Sequence, residues 1–262
     1  MKPLSLLAIA CAFAFTLRVS HGQDIMPKNQ QTKSFRGKLT RSVQAKYLLF
    51  LPREYKQSGT KRWPMILFLH GAGERGTNIN HVAVHGPPKI VKDRPEFPFI
   101  VVSPQCPNDQ AWSQDALLLL VDEIVRKYKV DQSRVYLTGL SMGGYGAWQL
   151  GLNHPERFAA IAPICGGGDI LPILLTERKQ AKRLKELPIW AFHGAKDQLV
   201  KLAESERMIE ALRKIGNEAK LTVYADAEHD AWTETYNNPA LYDWFLQHQN
   251  RHLLPNGRPR KP

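Results

Sequence analysis

The sequence predicts an α/β fold, with a mostly parallel central sheet and helices on both of its faces. Short apolar runs alternate with longer amphipathic stretches between residues 45 and 247, the order that repeated strand and helix units produce. The runs are brief and apolar, as strands covered on both faces are. With 262 residues, 43% of them hydrophobic and 23% charged, the chain has the composition of a folded domain. No Pro/Gly/Ser-rich linker separates two differently patterned halves, so a single α/β domain is expected.

Strands are expected at 45–51, 65–69, 99–103, 135–138, 159–164, 189–192 and 221–224. The first expected helix, 115–128, gathers Leu117, Leu120, Val121, Ile124, Val125 and Tyr128 on one face. Asp122, Glu123, Arg126 and Lys127 lie opposite, so this helix covers the sheet. A second helix, 142–153, follows the fourth strand at once, and Pro155 stops it. Helices are also expected at 173–187, at 202–215 with Gly216 as its C-terminal stop, and at 239–247.

The ends of the chain read differently. Lys2 precedes an apolar run from Leu4 to Leu17, and Ser20-His21-Gly22 follows, the form of a secretory signal peptide cut after Gly22. The run is shorter than the roughly 20 residues that span a bilayer, so no stable membrane insertion is expected after cleavage. A secreted or periplasmic protein follows from this. The expected plan is a leader at 1–22, an N-terminal extension at 23–40, the α/β domain at 41–250 and a basic tail at 251–262.

Much of the formal charge of +12 lies in residues 177–185 and 258–261. Neither stretch interleaves aromatics with its cations, so nucleic acid is not an expected partner. The first reads as a solvated helix face and the second as a disordered end; attraction to acidic polysaccharide is a further use for the charge. Outside the leader the only cysteines are Cys106 and Cys165, too few for a disulfide scaffold or a cysteine metal cluster. The expected topology puts two strands between them, which favours free buried thiols over a bridge.

The chemistry is carried by three regions. The fourth strand runs into Gly139-Leu140-Ser141-Met142-Gly143, and a helix begins immediately. A serine hydroxyl is a weak nucleophile, so acyl transfer needs it on a sharp, exposed turn beside a base and a helix N-terminus. Ser141 is the expected nucleophile. Gly139 and Gly143 leave space for the turn against neighbouring strands, and Gly144, Gly146 and Ala147 let the helix sit close to the sheet.

The second strand ends in His70-Gly71-Ala72-Gly73-Glu74-Arg75-Gly76. A glycine-rich turn there can aim backbone N–H groups at the alkoxide that forms when serine attacks a carbonyl. Ala72 and Met142 are the expected oxyanion donors, and His70 is expected to brace the loop. Asp197 and His229 fall in the loops after the sixth and seventh strands, at the carboxyl ends where open α/β sheets gather catalytic groups. Asp197 is the expected acid and His229 the expected base.

Rivals exist for both. His193 competes with His229, and Asp226, Asp230 and Asp169 compete with Asp197. His81 and His85 read as surface residues or part of a pocket mouth. Trp112 and Trp232 are candidates for an aromatic wall against substrate, with core packing the equal alternative. No set of His, Asp and Glu has metal-ligand spacing, so neither a metal nor an organic cofactor is expected.

These motifs, together with Ser103-Pro104-Gln105-Cys106-Pro107, His193-Gly194-Ala195-Lys196-Asp197 and His229-Asp230-Ala231-Trp232, make the chain resemble a known group from Tyr47 to Gln247. It resembles the phospholipase/carboxylesterase-like branch of the α/β-hydrolases. That branch includes secreted esterases related to polyhydroxybutyrate depolymerases and feruloyl esterases, and proteins called predicted peptidases. The resemblance implies the α/β-hydrolase fold and the triad order Ser, Asp, His, met here by Ser141, Asp197 and His229. It implies cleavage of a carboxylic ester, on a small molecule or linked to polysaccharide, through an acyl-enzyme, and it singles out no particular ester. A serine peptidase of the prolyl-peptidase type would use the same triad, but such relatives carry an extra gating domain that is not visible in this sequence. A non-catalytic binding module would have no need of all three triad residues together.

Overall fold

The computed structural model describes residues 33–258 apart from 39, 41, 176 and 177. The expected leader at 1–22 and the basic end from 259 onward lie outside the described residues. The chain divides into two compact units, residues 1–42 and 43–262. The described part of the first has no helix or strand, and the second carries the sheet.

Seven strands form that sheet: β1 (Tyr47–Phe50), β2 (Trp63–Leu69), β3 (Ile100–Pro104), β4 (Val130–Leu140), β5 (Ala160–Ile164), β6 (Trp190–Gly194) and β7 (Lys220–Tyr224). Their order is β1-β3-β2-β4-β5-β6-β7. Every pairing is parallel except that of β1 with β3, where Tyr47 faces Pro104. The expected strands are all present. β4 starts at Val130 rather than at 135, because Trp63 on β2 pairs with Val130 ahead of a register shift.

The helices are α1 (Gly86–Ile90), α2 (Gln114–Lys127), α3 (Met142–Asn153), α4 (Leu171–Leu174), α5 (Arg178–Glu186), α6 (Ala203–Lys214), α7 (Ala231–Asn237) and α8 (Pro239–Gln247). α2 is capped as its sequence implies: the Ser113 side chain accepts from the Ala116 N–H, Asp115 sits in the first turn, and Arg126 and Lys127 in the last. These charges oppose the helix dipole at each end. The expectation of one helix at 173–187 is corrected to two, since Leu175 leaves helical geometry at φ −100°, ψ 11°. α1 and α7 were not expected. α7 is short, and Asn238 separates it from α8 by capping the Ala240 N–H ahead of Pro239 at the first helical position.

Alternation along β2 builds the two halves of the core, since successive side chains of a strand leave on opposite faces. Met65, Leu67 and Leu69 join one cluster with Leu117, Val121 and Ile124 of α2, Trp148 of α3 and Met208 and Leu212 of α6. Ile66 and Phe68 join the other, with Tyr236 of α7 and Leu241, Tyr242, Trp244 and Phe245 of α8. Cys106 and Cys165 are buried and free, on the ends of β3 and β5 with β2 and β4 between those strands. No helix among the described residues is long and apolar enough to cross a membrane.

Leu67 lies at the centre of β2 with no exposed surface, where a lost side chain leaves a cavity that neighbouring strands cannot close. Leu67→Ala is therefore expected to cost about 2–5 kcal/mol of stability. A urea melt that moves by much less would show that this layer can collapse around the gap.

Candidate active site

The turn between β4 and α3 brings backbone against backbone. A Cβ at Gly143 would land on the Leu69 carbonyl oxygen of β2, one at Gly144 on the Ile164 carbonyl of β5, and one at Gly139 on the Gly143 carbonyl. Only glycine permits this approach. Ser141, held between them, takes φ +53°, ψ −117°, a conformation that costs a side-chain-bearing residue on the order of 1–3 kcal/mol. Its N–H donates to Ile164 O at 3.0 Å and its carbonyl accepts from the Tyr145 N–H at 3.0 Å. The side chain stands half-buried at the N-terminus of α3.

Two loops converge on that hydroxyl. His229, after β7, lies with Nε2 2.9 Å from Ser141 Oγ and Nδ1 2.7 Å from Asp197 Oδ2. A carboxylate accepts, so Nδ1 carries the proton and Nε2 is left to accept from the serine hydroxyl. Asp197, after β6, has no exposed side-chain surface. Its Oδ1 accepts from the N–H groups of Leu199 and Val200, both at 2.9 Å, which satisfies the oxygen that His229 does not use. A buried carboxylate needs such partners.

The rivals do not reach Ser141. His193 is fully buried, with Nε2 2.8 Å from Val200 O and Nδ1 2.8 Å from Ser205 Oγ, and makes no hydrogen bond to Ser141. Asp226 is almost entirely exposed and pairs with Lys196 at 2.7 Å. Asp230 and Asp169 are exposed, the second accepting from the Leu171 N–H.

The loop after β2 lies against the same turn: a Cβ at Gly71 would sit 3.6 Å from Ser141 Cβ. Ala72 opens a short 3-10 turn, Ala72–Glu74, and Met142 opens α3. Among the described residues neither N–H donates to another backbone or side-chain group, as first-turn helical amides commonly do not. His70 secures the loop from beneath. Its Nδ1–H donates to Gly71 O at 2.6 Å and its Nε2 accepts from the Cys106 N–H at 3.0 Å. Gln105, to which the sequence assigned no role, donates to the carbonyls of Glu74 and Asn78 at 2.9 and 2.8 Å.

The two tryptophans part company. Trp112 donates from Nε1 to His70 O at 3.3 Å, sets its ring edge-on to His70 at 4.8 Å and fills the space above Gly146. These contacts place its ring against the loop after β2 and against α3. Trp232 lies edge-on to His229 at 5.1 Å and to His85 at 5.6 Å, so His85 borders the site, whereas His81 is exposed. Cys165, His193 and Asp197 bring metal-type ligand atoms within 4.8 Å of one another. Both ring nitrogens of His193 and both oxygens of Asp197 already have protein partners, and burial pushes the Cys165 thiol up to about 12.

The model of the phospholipase/carboxylesterase family matches residues 97–238. A bifunctional acetylxylan esterase/xylanase of Neocallimastix patriciarum is 24% identical over 213 residues, covering 76% of this chain and 29% of that protein. The chain thus spans under a third of that relative's length. Among solved structures, one described as a thermostable esterase is 33% identical with a TM-score of 0.62, covering 79% of this chain and 60% of that one. A ferulic acid esterase shares the fold at 22% identity and a TM-score of 0.61, covering 76% of this chain and 89% of that one.

Burial holds the His70 imidazole below its ordinary value of 6.5, and Nε2, already accepting, has no room for a second proton. The unfolded chain takes up that proton first. The contribution of His70 to stability is thus complete above about pH 6.5 and is lost as pH falls toward the lower folded value. Urea midpoints at about pH 7 and about pH 5 should differ less in His70→Gln than in the wild type; an equal difference would remove His70 from the account.

Proposed function

Because the chain belongs to the phospholipase/carboxylesterase family of the α/β-hydrolases, we propose that it is a serine esterase in which Ser141 is the nucleophile, His229 the general base and Asp197 the acid. The observation that carries this reading is the relay Ser141–His229–Asp197, 2.9 and 2.7 Å long, with the serine on a strained turn. Ser141 Oγ attacks the ester carbonyl carbon while His229 Nε2 takes its proton. The carbonyl oxygen becomes an alkoxide facing the N–H groups of Ala72 and Met142. His229 then returns the proton to the departing alkoxy oxygen, and an acyl-enzyme remains. Water, deprotonated by the same imidazole, attacks the acyl carbon, and Ser141 leaves with its proton restored as the acid is released.

Asp197 keeps the Nδ1–H tautomer and stabilises the imidazolium that forms in each half. The substrate is an ester on a small molecule or on a polysaccharide chain, with Trp232 as the aromatic surface nearest the base. The leader sequence at 1–22 supports a secreted or periplasmic setting.

Ser141→Ala is expected to abolish hydrolysis of an aryl acetate with little change in the melting temperature, and a serine-directed phosphonate should label Ser141. Asp197→Asn should lose on the order of 10⁴ in turnover, by analogy with other triads, whereas Asp226→Asn, on the surface, should stay near wild type. Turnover of the three variants, with circular dichroism to confirm folding, decides the matter: a severe loss in Asp226→Asn and a mild one in Asp197→Asn would mean that the acid is misassigned.

A further inference from the structure

Beside the proposed acid lies a second imidazole that the reaction above does not use. His193 sits on β6 and Ser205 on α6, and both are fully buried. The Val200 carbonyl, 2.8 Å from His193 Nε2, can only accept, so that nitrogen carries a proton. The same N–H edge lies 3.4 Å from Asp197 Oδ2, the oxygen that takes the His229 Nδ1–H. On the other side of the ring, Nδ1 is 2.8 Å from Ser205 Oγ, which also reaches Gly166 O at 3.0 Å.

Asp197 is tied to β6 through its own N–H, which donates to Gly194 O at 3.3 Å, but the residues that follow it have little to hold them. Gln198 and Leu199 are exposed, Leu199 by 79%, so apolar packing does not anchor them. The amides that bond to Asp197 Oδ1 belong to Leu199 and Val200, which move with the turn. Among the described residues, the bond from His193 is the hydrogen bond that ties residues 198–200 to the sheet. Packing alone would be served by an apolar ring, without the desolvation of two nitrogens.

We propose that His193 is a positioning residue for Asp197: by fixing the Val200 carbonyl from a sheet strand, it holds the turn 197–200 so that Asp197 Oδ2 stays aimed at His229 Nδ1. Ser205 backs the ring and sets its orientation. The inference rests on the triad reading, and its test separates the two.

Three variants of the full chain carry the test, with an aryl acetate as substrate. His193→Phe keeps a flat ring and removes both nitrogens. It should lower kcat on the order of 10- to 100-fold, the penalty of a misplaced catalytic group, with KM within about twofold. His193→Gln can return an N–H to the Nε2 position and should recover part of that loss, and Ser205→Ala should lower kcat by a smaller factor. The far-downfield proton resonance of the His229–Asp197 hydrogen bond should shift or weaken in His193→Phe. If that variant does not fold, Ser205→Ala bears the same two readouts. A kcat within about twofold of wild type and an unmoved resonance overturn the proposal, even where the melting temperature falls, because that pattern is packing alone. Ser141→Ala is the control: wild-type turnover there overturns the triad itself, whereas an inactive Ser141→Ala beside fully active His193 variants overturns only the role of His193.

Discussion

The carboxyl edge of the sheet is organised by one close approach, that of the first turn of α3 to the carbonyls of Leu69 and Ile164. Gly143 and Gly144 meet those oxygens with no side chain between, and the approach forces Ser141 to positive φ. Strain of this kind persists only where its surroundings over-determine it. Here the Ser141 N–H is fixed on β5, its carbonyl on α3, and the helix is packed through Trp148 into the core. The same closeness brings the loop after β2 over the turn, so the amides of Ala72 and Met142 and the hydroxyl of Ser141 share one small region.

Around that region the protein repeats a device. A buried histidine at the end of a strand fixes the backbone of a loop by bonding a carbonyl, and a second bond holds the ring. His70 grips Gly71 O and accepts from Cys106 N–H; His193 grips Val200 O and is backed by Ser205. Loops that leave the end of a sheet bury little apolar surface, so their precision has to come from directed bonds to a rigid element. A neutral imidazole suits this, because it offers a donor and an acceptor on one stiff ring. Both loops carry groups of the proposed reaction, the oxyanion donor Ala72 and the acid Asp197.

Much of this was legible in the chain itself. Each β-strand contains a short apolar run, so the seven strands and the α/β class follow from pattern, although the polar first half of β4, Asp131 to Arg134, does not. α2 follows from its period and its caps, and α3 from its abrupt start after Ser141 and its end before Pro155. Other elements were hidden. α7 has seven residues of mixed polarity, and it is helical because Ala231, Thr235 and Tyr236 are buried, a reward that exists only once the sheet is there to receive them. The break between α4 and α5 interrupts a stretch whose composition favours one helix.

At the site the division has a physical cause. The sequence by itself determined the strained turn at Ser141 and the glycine-rich loop at His70, because local backbone geometry demands those residues at neighbouring positions. It also narrowed the partners to the ends of β6 and β7. That Asp197 and His229, rather than Asp226 and His193, form the chain of hydrogen bonds to Ser141, and that Trp112 packs on His70, was decided by tertiary structure alone. Asp197 and Asp226 carry the same carboxyl group, and what separates them is that one is buried against His229 while the other faces solvent with Lys196. Burial and distance are properties of the assembled sheet, created by elements that stand far apart in the chain.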